Sequence, residues 1–454
     1  MNSRIEQART LIRQHYVADD GNKPWVIAFS GGKDSTLLLR LVWEELLRLD
    51  RTNWQRHISI ICNNTMVENP EFQLVVEGEL EHIREYIAST GVPMSLAITT
   101  PNLDDSFWVN LIGRGYVAPN RQFRWCTDRL KIRPTNAFIE SQISRHGEVI
   151  VLIGTRLAES SARARSMKRH AISRTGLSYH RLPGAFAFAP LQHVEDEDVW
   201  TYLCSTPSPW SSDHAGLASL YQRAAEPGSQ VEEDLLSMSL DSAPRGGSRF
   251  GCWVCTLVEE DRSMNRLLEA GAEWMRPLRD FRNLLFSTIN RKSPDYQPSR
   301  YRMPVRRNLQ DGLGPYWPSF RRSLLDELLK AQRTIQLDKP GLLLMSEQEL
   351  AAIQVVWDRD MLFDASVEEQ RTASELGSTA RRDPDLVATQ SLLEEVCAKR
   401  GHSEHCGLLC QLVQASRGRL LLSKGYQARV DVERVLREFV EPRMTDVYKL
   451  DRGQ

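Results

Sequence analysis

The apolar run Trp25-Val26-Ile27-Ala28-Phe29 leads directly into Ser30-Gly31-Gly32-Lys33-Asp34-Ser35, and TLLLRLVWEELLRL follows. A short apolar run that ends in glycines suits a strand buried on both faces, as in a parallel sheet. The leucine-rich stretch reads as a helix, so strand, loop and helix follow one another. Two glycines let the chain turn tightly and approach an anion, and the helix start offers unpaired N–H groups and the positive end of its dipole. Lys33 adds a point charge, and Ser30 and Ser35 add hydroxyl donors. Ser30, Gly31, Gly32, Lys33, Asp34 and Ser35 are therefore the candidate polyphosphate cradle, with Lys33 and Asp34 the candidate catalytic residues. The loop is not a Walker A loop, which needs Gly where Ile27 stands and no residue between the Lys and the Ser/Thr. An acidic residue in a phosphate loop repels the anion unless a divalent cation intervenes, so Asp34 points to Mg²⁺.

The rest of the chain extends this pattern. Further strand candidates are HISIICNN (57–64), a run within PMSLAITTP (93–101) and VIVLIG (149–154), alternating with helical stretches at 70–90 and 134–147. A polar helix is expected over 3–17. Strands alternating with helices predict an α/β fold with a doubly wound parallel sheet. This nucleotide domain is expected over 1–205, and a Cys-containing loop with a helical subdomain over 206–335, with helices at 259–290 and 319–335. A connecting segment and linker (336–385) and a small helical unit (386–454) complete the expected order.

With 454 residues, 41% hydrophobic and 26% charged, the chain can bury a sizeable core. No apolar run is long enough to span a bilayer, and no membrane partner is expected. The first residues, MNSRIEQARTLIRQHY, form no apolar signal segment. The eight cysteines are thus expected in a reducing cytoplasm, where their spacing points to metal or redox use. A net charge of −1 excludes a globally basic coat. Between Arg114 and Arg181, however, fourteen Lys/Arg stand against four Asp/Glu, a local balance of +10. Such a bias suits either a solvated surface or a polyanion site for nucleotide phosphates or a nucleic-acid backbone. A second basic stretch runs from Arg276 to Arg307.

SGGKDS after an apolar strand resembles the PP-loop of the ATP pyrophosphatases. These cleave ATP between the α and β phosphates, adenylating a substrate and releasing pyrophosphate. The resemblance implies an adenine-nucleotide α-hydrolase-like sheet with ATP as cofactor. Arg124-Trp125-Cys126-Thr127-Asp128-Arg129-Leu130-Lys131 is similar to the W-C-x-x-x-L-K element of the phosphoadenylyl-sulfate reductase branch. Gly154-Thr155-Arg156 with Glu159, Ser160 and Arg163 is similar to its G-x-R-x-x-E-S-x-x-R element. Pro190-Leu191, Asp198-Val199-Trp200 and Tyr202-Leu203 match its P-L…D-V-W-x-Y-L element. More narrowly, Ser248-Arg249-Phe250-Gly251-Cys252-Trp253-Val254-Cys255-Thr256 and Gly314-Pro315-Tyr316 resemble the DndC/SspD family of DNA sulfur modification proteins. The match runs in order over residues 25–335.

Arg124, Arg156 and Arg163 are the cations expected to meet phosphates, since guanidinium binds them bidentately. Gly154 joins them on the nucleotide side, Arg156 is a third catalytic candidate, and Lys131 is a further cation. Asp198-Val199-Trp200 reads as helix capping and packing. Trp253 suits either packing or stacking. The resemblance implies a four-cysteine 4Fe–4S cluster. Two of the usual cysteine positions are replaced here by Glu226-Pro227-Gly228 and Pro244-Arg245-Gly246. Cys126, Cys204, Cys252 and Cys255 remain as the ligand set, with a persulfide relay through the same cysteines as the alternative. A zinc ribbon would need a second nearby CxxC. Cys62 reads as a core residue, and Cys397, Cys406 and Cys410 as packing positions beside His402 and His405.

The resemblance implies an ATP pyrophosphatase that adenylates a DNA backbone phosphate for sulfur insertion, as in restriction–modification by DNA phosphorothioation. Its implied partners are DNA, a cysteine desulfurase as sulfur donor and other phosphorothioation proteins. Two alternatives are a sulfonucleotide reductase and a catalytically silent binding module.

Overall fold

The computed structural model describes residues 3–18, 22–159, 177–224, 250–294, 296–307 and 310–359, and residues 395, 397–399, 406 and 409. The chain divides into two compact units, 1–101 with 124–279, and 102–123 with 280–454.

The first unit contains α1 (Ser3–Tyr16), β1 (Trp25–Ala28), α2 (Lys33–Arg48), β2 (Ile58–Asn63), α3 (Pro70–Thr90) and β3 (Met94–Thr99). It continues with α4 (Arg133–His146), β4 (Val149–Leu152), β5 (Ser178–Tyr179), β6 (Ala185–Phe188), α5 (Asp196–Ser205) and α6 (Ala215–Arg223). The strands lie in the order β3-β2-β1-β4-β6-β5 and are parallel except for β5, which runs antiparallel to β6. β1 lies inside the sheet, pairing Val26 with Ser59 of β2 and Val151 of β4. Alternate residues of a strand face opposite sides. Trp25 and Ile27 accordingly join one core with α1, α2 and α3, while Val26 joins another with Ile139 of α4. Both faces of β1 are covered, which accounts for its unbroken apolar sequence. The doubly wound α/β sheet expected from the sequence is the sheet observed.

Local chemistry sets the element ends. Asn69 caps α3, its side-chain oxygen accepting from the backbone N–H of Glu71 (3.1 Å) and Phe72 (3.3 Å). Pro70 occupies the first turn, where no N–H is needed, and Gly91 ends the helix with φ +66°. The short β5–β6 pair had no clear periodic signal in the sequence.

The break expected at residue 205 falls inside this unit. Val199, Trp200, Leu203, Trp210, Leu217 and Tyr221 belong to the same core as α2. The 206–214 loop is tied to α3 by the Trp210 indole, which donates to Glu79 at 2.9 Å. Glu79 also meets His214 Nδ1 at 3.2 Å. The single helical stretch expected over 259–290 is two helices, α7 (Arg262–Glu269) and α8 (Arg276–Ser287). Gly271, at φ +99°, lies between them.

In the second unit, β7 (Arg302–Arg307) and β8 (Gln310–Tyr316) form an antiparallel hairpin, followed by α9 (Pro318–Gln336) and α10 (Glu347–Arg359). The 102–123 segment belongs here, not to the nucleotide domain. Trp108 donates its indole N–H to Leu344 O (2.7 Å), and Trp357 donates to Ile112 O (3.1 Å). α10 falls in what the sequence suggested was a connecting segment. It starts from a reciprocal cap in which Ser346 N donates to Glu349 Oε2 (3.0 Å) and Glu349 N donates to Ser346 Oγ (3.2 Å). It is fixed by buried Ile353, Val356 and Trp357. The expected linker at 366–385 and most of 386–454 lie outside the described residues.

Asn69→Ala leaves two α3 amides without their cap and is expected to cost about 1 kcal/mol. Urea denaturation of the variant against the parent chain checks this, and an unchanged midpoint would contradict the capping role.

Candidate active site

β2 pairs on one side of β1 and β4 on the other, so the loops leaving the carboxyl ends of β1 and β4 diverge at a topological switch point. Open α/β sheets bind ligands in the crevice at such a point. Ser30–Ser35 leaves β1 there, and Gly154-Thr155-Arg156 leaves β4. The loops touch closely: a Cβ on Gly154 would lie 2.9 Å from Asp34 O and 3.2 Å from Ser35 N. Gly31 adopts φ +73°, and a Cβ there would lie 2.2 Å from Val76 Cγ2 of α3. Gly154 is required by the approach of the Asp34–Ser35 backbone, and Gly31 by its left-handed conformation and the Val76 side chain packed against it.

The PP-loop is cross-stitched. Ser30 N donates to Ser35 Oγ (3.2 Å), the two hydroxyls lie 3.1 Å apart, and Ser35 Oγ donates to Gly32 O (2.9 Å). The Ser35 hydroxyl therefore shapes the loop. No side chain caps α2 at Gly32, which leaves the first-turn amides to an anion. Tyr221 of α6 walls this side, its ring centroid 5.9 Å from Lys33 Nζ.

Four charges meet behind the loop. Arg156 Nε donates to Asp34 Oδ1 at 2.8 Å, Nη1 donates to Val194 O at 3.0 Å, and Nη2 pairs with Asp196. Lys33 Nζ lies 3.3 Å from Asp196 Oδ1 and 3.6 Å from Asp34 Oδ2. Burial would lower the Arg156 pKa, but Asp34 and Asp196 hold it above its ordinary value. Burial would raise the Asp196 carboxyl, yet Lys33 and Arg156 keep it below the usual range. Arg156 is fully buried, so it does not present its guanidinium to an incoming phosphate as the sequence suggested. It is a positioning residue for two carboxylates. Asp196 escaped the sequence reading, although it sits in the acidic run Glu195-Asp196-Glu197-Asp198 between the P-L and D-V-W elements. Asp198 is the capping residue expected, accepting from Glu195 N at 3.0 Å. Asp34 and Asp196 supply oxygen donors of the kind Mg²⁺ takes alongside nucleotide phosphates.

A second cluster lies at the carboxyl end of β2. Cys252 bridges to Glu68 in backbone pairing, and Trp253 N donates to Val67 O at 3.0 Å. Cys126 begins a π-helical stretch, Thr127–Ile132, a local widening of the helix often found at functional sites. Leu130 O of that stretch accepts from the Asn63 amide at 2.9 Å. Cys126, Cys252 and Cys255 act electrostatically on one ammonium, that of Lys131, which also lies 3.8 Å from Glu68. Thr65 Oγ1 donates to Glu68 (2.8 Å) and lies 3.6 Å from Cys252 Sγ. Burial pushes the Cys252 thiol up to about 12, with Glu68 adding to it and Lys131 opposing. Burial also raises the Cys126 thiol. Trp253 is packed, at 2% exposure.

Cys204 is not part of this cluster. It is exposed on α5, and the charge that reaches it is Arg40. Among the described residues no group of three or more His, Cys, Asp or Glu side chains is arranged around one metal ion. The four-cysteine set therefore does not fit: Cys126, Cys252 and Cys255 lie around Lys131 without the arrangement of a metal site, and Cys204 sits apart. Cys62 is a buried core residue of β2. Arg124 is exposed, whereas Arg163 lies outside the described residues, as do Ser160, His402, His405 and Cys410. Among the described residues no helix is long and apolar enough to cross a membrane.

Residues 24–257 match the phosphoadenosine phosphosulfate reductase domain family, slightly more than half of the chain, and the chain belongs to that family. The first unit thus carries a PP-loop nucleotide-binding domain of the reductase type. An uncharacterized protein of Methanocaldococcus jannaschii is 23% identical over 263 residues, which cover 57% of this chain and 42% of the relative. The chain thus spans less than half of that relative's length. Among solved structures, the chain is similar to phosphoadenylyl-sulfate reductase from Candida auris (TM-score 0.30, 12% identity, 53% of this chain and 88% of that one). It is also similar to a tRNA thiolase from Methanococcus maripaludis solved with its 4Fe–4S cluster (TM-score 0.27, 14% identity, 51% and 77%).

Arg156→Gln leaves two carboxylates sharing Lys33 alone and is expected to destabilise the protein by about 3–5 kcal/mol. Chemical denaturation measures this, and a loss under about 1 kcal/mol would show that the four-charge cluster relaxes into solvent.

Proposed function

We propose that the chain is an ATP pyrophosphatase that adenylates a phosphate oxygen of the DNA backbone so that sulfur can replace it. One observation carries this reading. The Ser30–Ser35 loop follows the carboxyl end of β1, and the three cysteines gather around Lys131 and Glu68 beyond the carboxyl end of its neighbour β2, at the same end of the sheet. The DndC/SspD resemblance in the GCWVC segment and the +10 balance between Arg114 and Arg181 favour DNA as the acceptor.

In this scheme the β and γ phosphates of ATP lie on Gly31, Gly32 and the first amides of α2, with Lys33 over them. Mg²⁺, held by phosphate oxygens and Asp34, would neutralise charge on the leaving pyrophosphate. A backbone phosphate oxygen of DNA attacks the α-phosphorus, the bond to the bridging α–β oxygen breaks, and pyrophosphate leaves. AMP is now a good leaving group on an otherwise poor electrophile. A persulfide on one of Cys126, Cys252 and Cys255, loaded by a cysteine desulfurase, attacks the DNA backbone phosphorus, whose bond to the AMP-bearing oxygen breaks, and AMP leaves. A second thiol then attacks the carrier sulfur. The phosphorothioate leaves and a disulfide forms, which a thiol reductant reopens. Desolvation raises the Cys126 and Cys252 thiols and so protects them between turnovers, because the thiolate is the nucleophile. The chain's own contribution is positioning and charge neutralisation.

The family match favours a second reading, reduction of an adenylated sulfate. ATP labelled at the γ-phosphate separates the two. The lead reading expects labelled pyrophosphate, stimulated by duplex DNA, less so as salt rises, and abolished in a folded Asp34→Ala variant. Sulfite release from an adenylated sulfate with no ATP turnover would support the reductase, and labelled orthophosphate would refute both.

Replacing Cys126, Cys252 and Cys255 together is expected to leave pyrophosphate release intact while stopping sulfur incorporation into DNA, read by mass spectrometry of nuclease digests. Replacing Cys204 should change neither. Incorporation that survives the triple replacement would remove the thiols from the reaction.

A further inference from the structure

We infer that Asp196 is the anion a nucleotide phosphate displaces from Lys33, which makes it a positioning residue that sets the affinity of the phosphate loop. The inference rests on reading residues 30–35 as the phosphate site. Lys33, Arg156, Asp34 and Asp196 together carry no net charge, so the loop as it stands has little Coulombic attraction for a polyanion beyond the α2 dipole. To engage phosphate, Lys33 must exchange a carboxylate for it.

Geometry selects Asp196 as the carboxylate given up. Asp196 is the nearer of the two, 3.3 Å against 3.6 Å for Asp34. Asp34 is the next residue in the chain and moves with the loop. Asp196 comes from another element, α5, whose start is fixed by reciprocal capping between Glu195 and Asp198 and by Arg4 at 3.3 Å from Asp198. Its position is therefore independent of Lys33. When Lys33 turns to phosphate, Asp196 keeps the Arg156 Nη2 pair. Neither half-buried carboxylate is left without a cation, and the buried Arg156 keeps both of its anions, so the exchange leaves no unpaired charge behind. Arg156 is thus the fixed cation and Lys33 the movable one. Lys33 has the means to move, because it is a flexible ammonium while Arg156 is a planar fork held at three points.

Inorganic pyrophosphate with excess chelator is the probe, titrated calorimetrically into the full chain. Asp196→Asn removes the competing charge while keeping the side-chain shape, and binding is expected to tighten roughly tenfold, since hydrogen bonds to charged groups are the strong class. Asp196→Glu should stay near the parent affinity. Glu197→Gln, the same charge change one residue along, should shift affinity less than about twofold, since screened charges not in contact contribute little. If the Asn variant does not fold by circular dichroism, Asp196→Ser serves in its place. Equal or weaker binding in the folded variant, or equal tightening in Glu197→Gln, overturns the inference and leaves the phosphate site standing. A parent chain that binds neither pyrophosphate nor ATP overturns both.

Discussion

The Arg156 guanidinium, fully buried behind the PP-loop, is the constraint on which the candidate site depends. It joins the loop after β1 to the start of α5 by holding Asp34 and Asp196, and its third contact, to Val194 O, anchors it to the chain leading into α5. A buried cation needs compensating anions, so the two acidic elements are pulled against it. Close packing of Gly154 on Asp34 and Ser35 then follows, because any side chain at 154 would separate the loops. The anion-binding end of α2 is thereby aimed into the switch-point crevice.

A second arrangement of the same kind lies beside it. Lys131 and Glu68 place both signs of charge next to three thiols, where the end of β2, the π-helical stretch and the GCWVC turn meet. Burial keeps Cys126 and Cys252 protonated, so their reactivity waits on a change around them. Under the proposed function, two sites on neighbouring strand ends let one group be activated and another delivered without passing an intermediate through bulk water.

The PP-loop was legible because its chemistry is local. Two glycines, a lysine and hydroxyls at a strand–helix junction need no distant partner to be recognised. The role of Arg156 was not legible. Its residue type suits phosphate equally well, and only the presence of Asp196, forty residues later, makes it structural. The cysteines divide in the same way. CxxC spacing brings Cys252 and Cys255 together, and the resemblance added Cys126, but Cys204 was chosen by elimination and lies exposed on α5. α10 lies where the sequence suggested a connecting segment, yet Trp357 and Ile353 give it a buried side.

By itself the sequence determined the strand–loop–helix start, the alternation that forces a parallel sheet, and the identity of the groups able to bind an anion or carry sulfur. These depend on periodicity and on residue type, which are properties of short segments. The tertiary structure alone decided that the 102–123 segment leaves the nucleotide unit, that three cysteines meet and a fourth does not, and that Asp196 occupies Lys33. Each of those outcomes is set by contacts between residues far apart in the chain, where packing and the pairing of buried charge, not local pattern, carry the free energy.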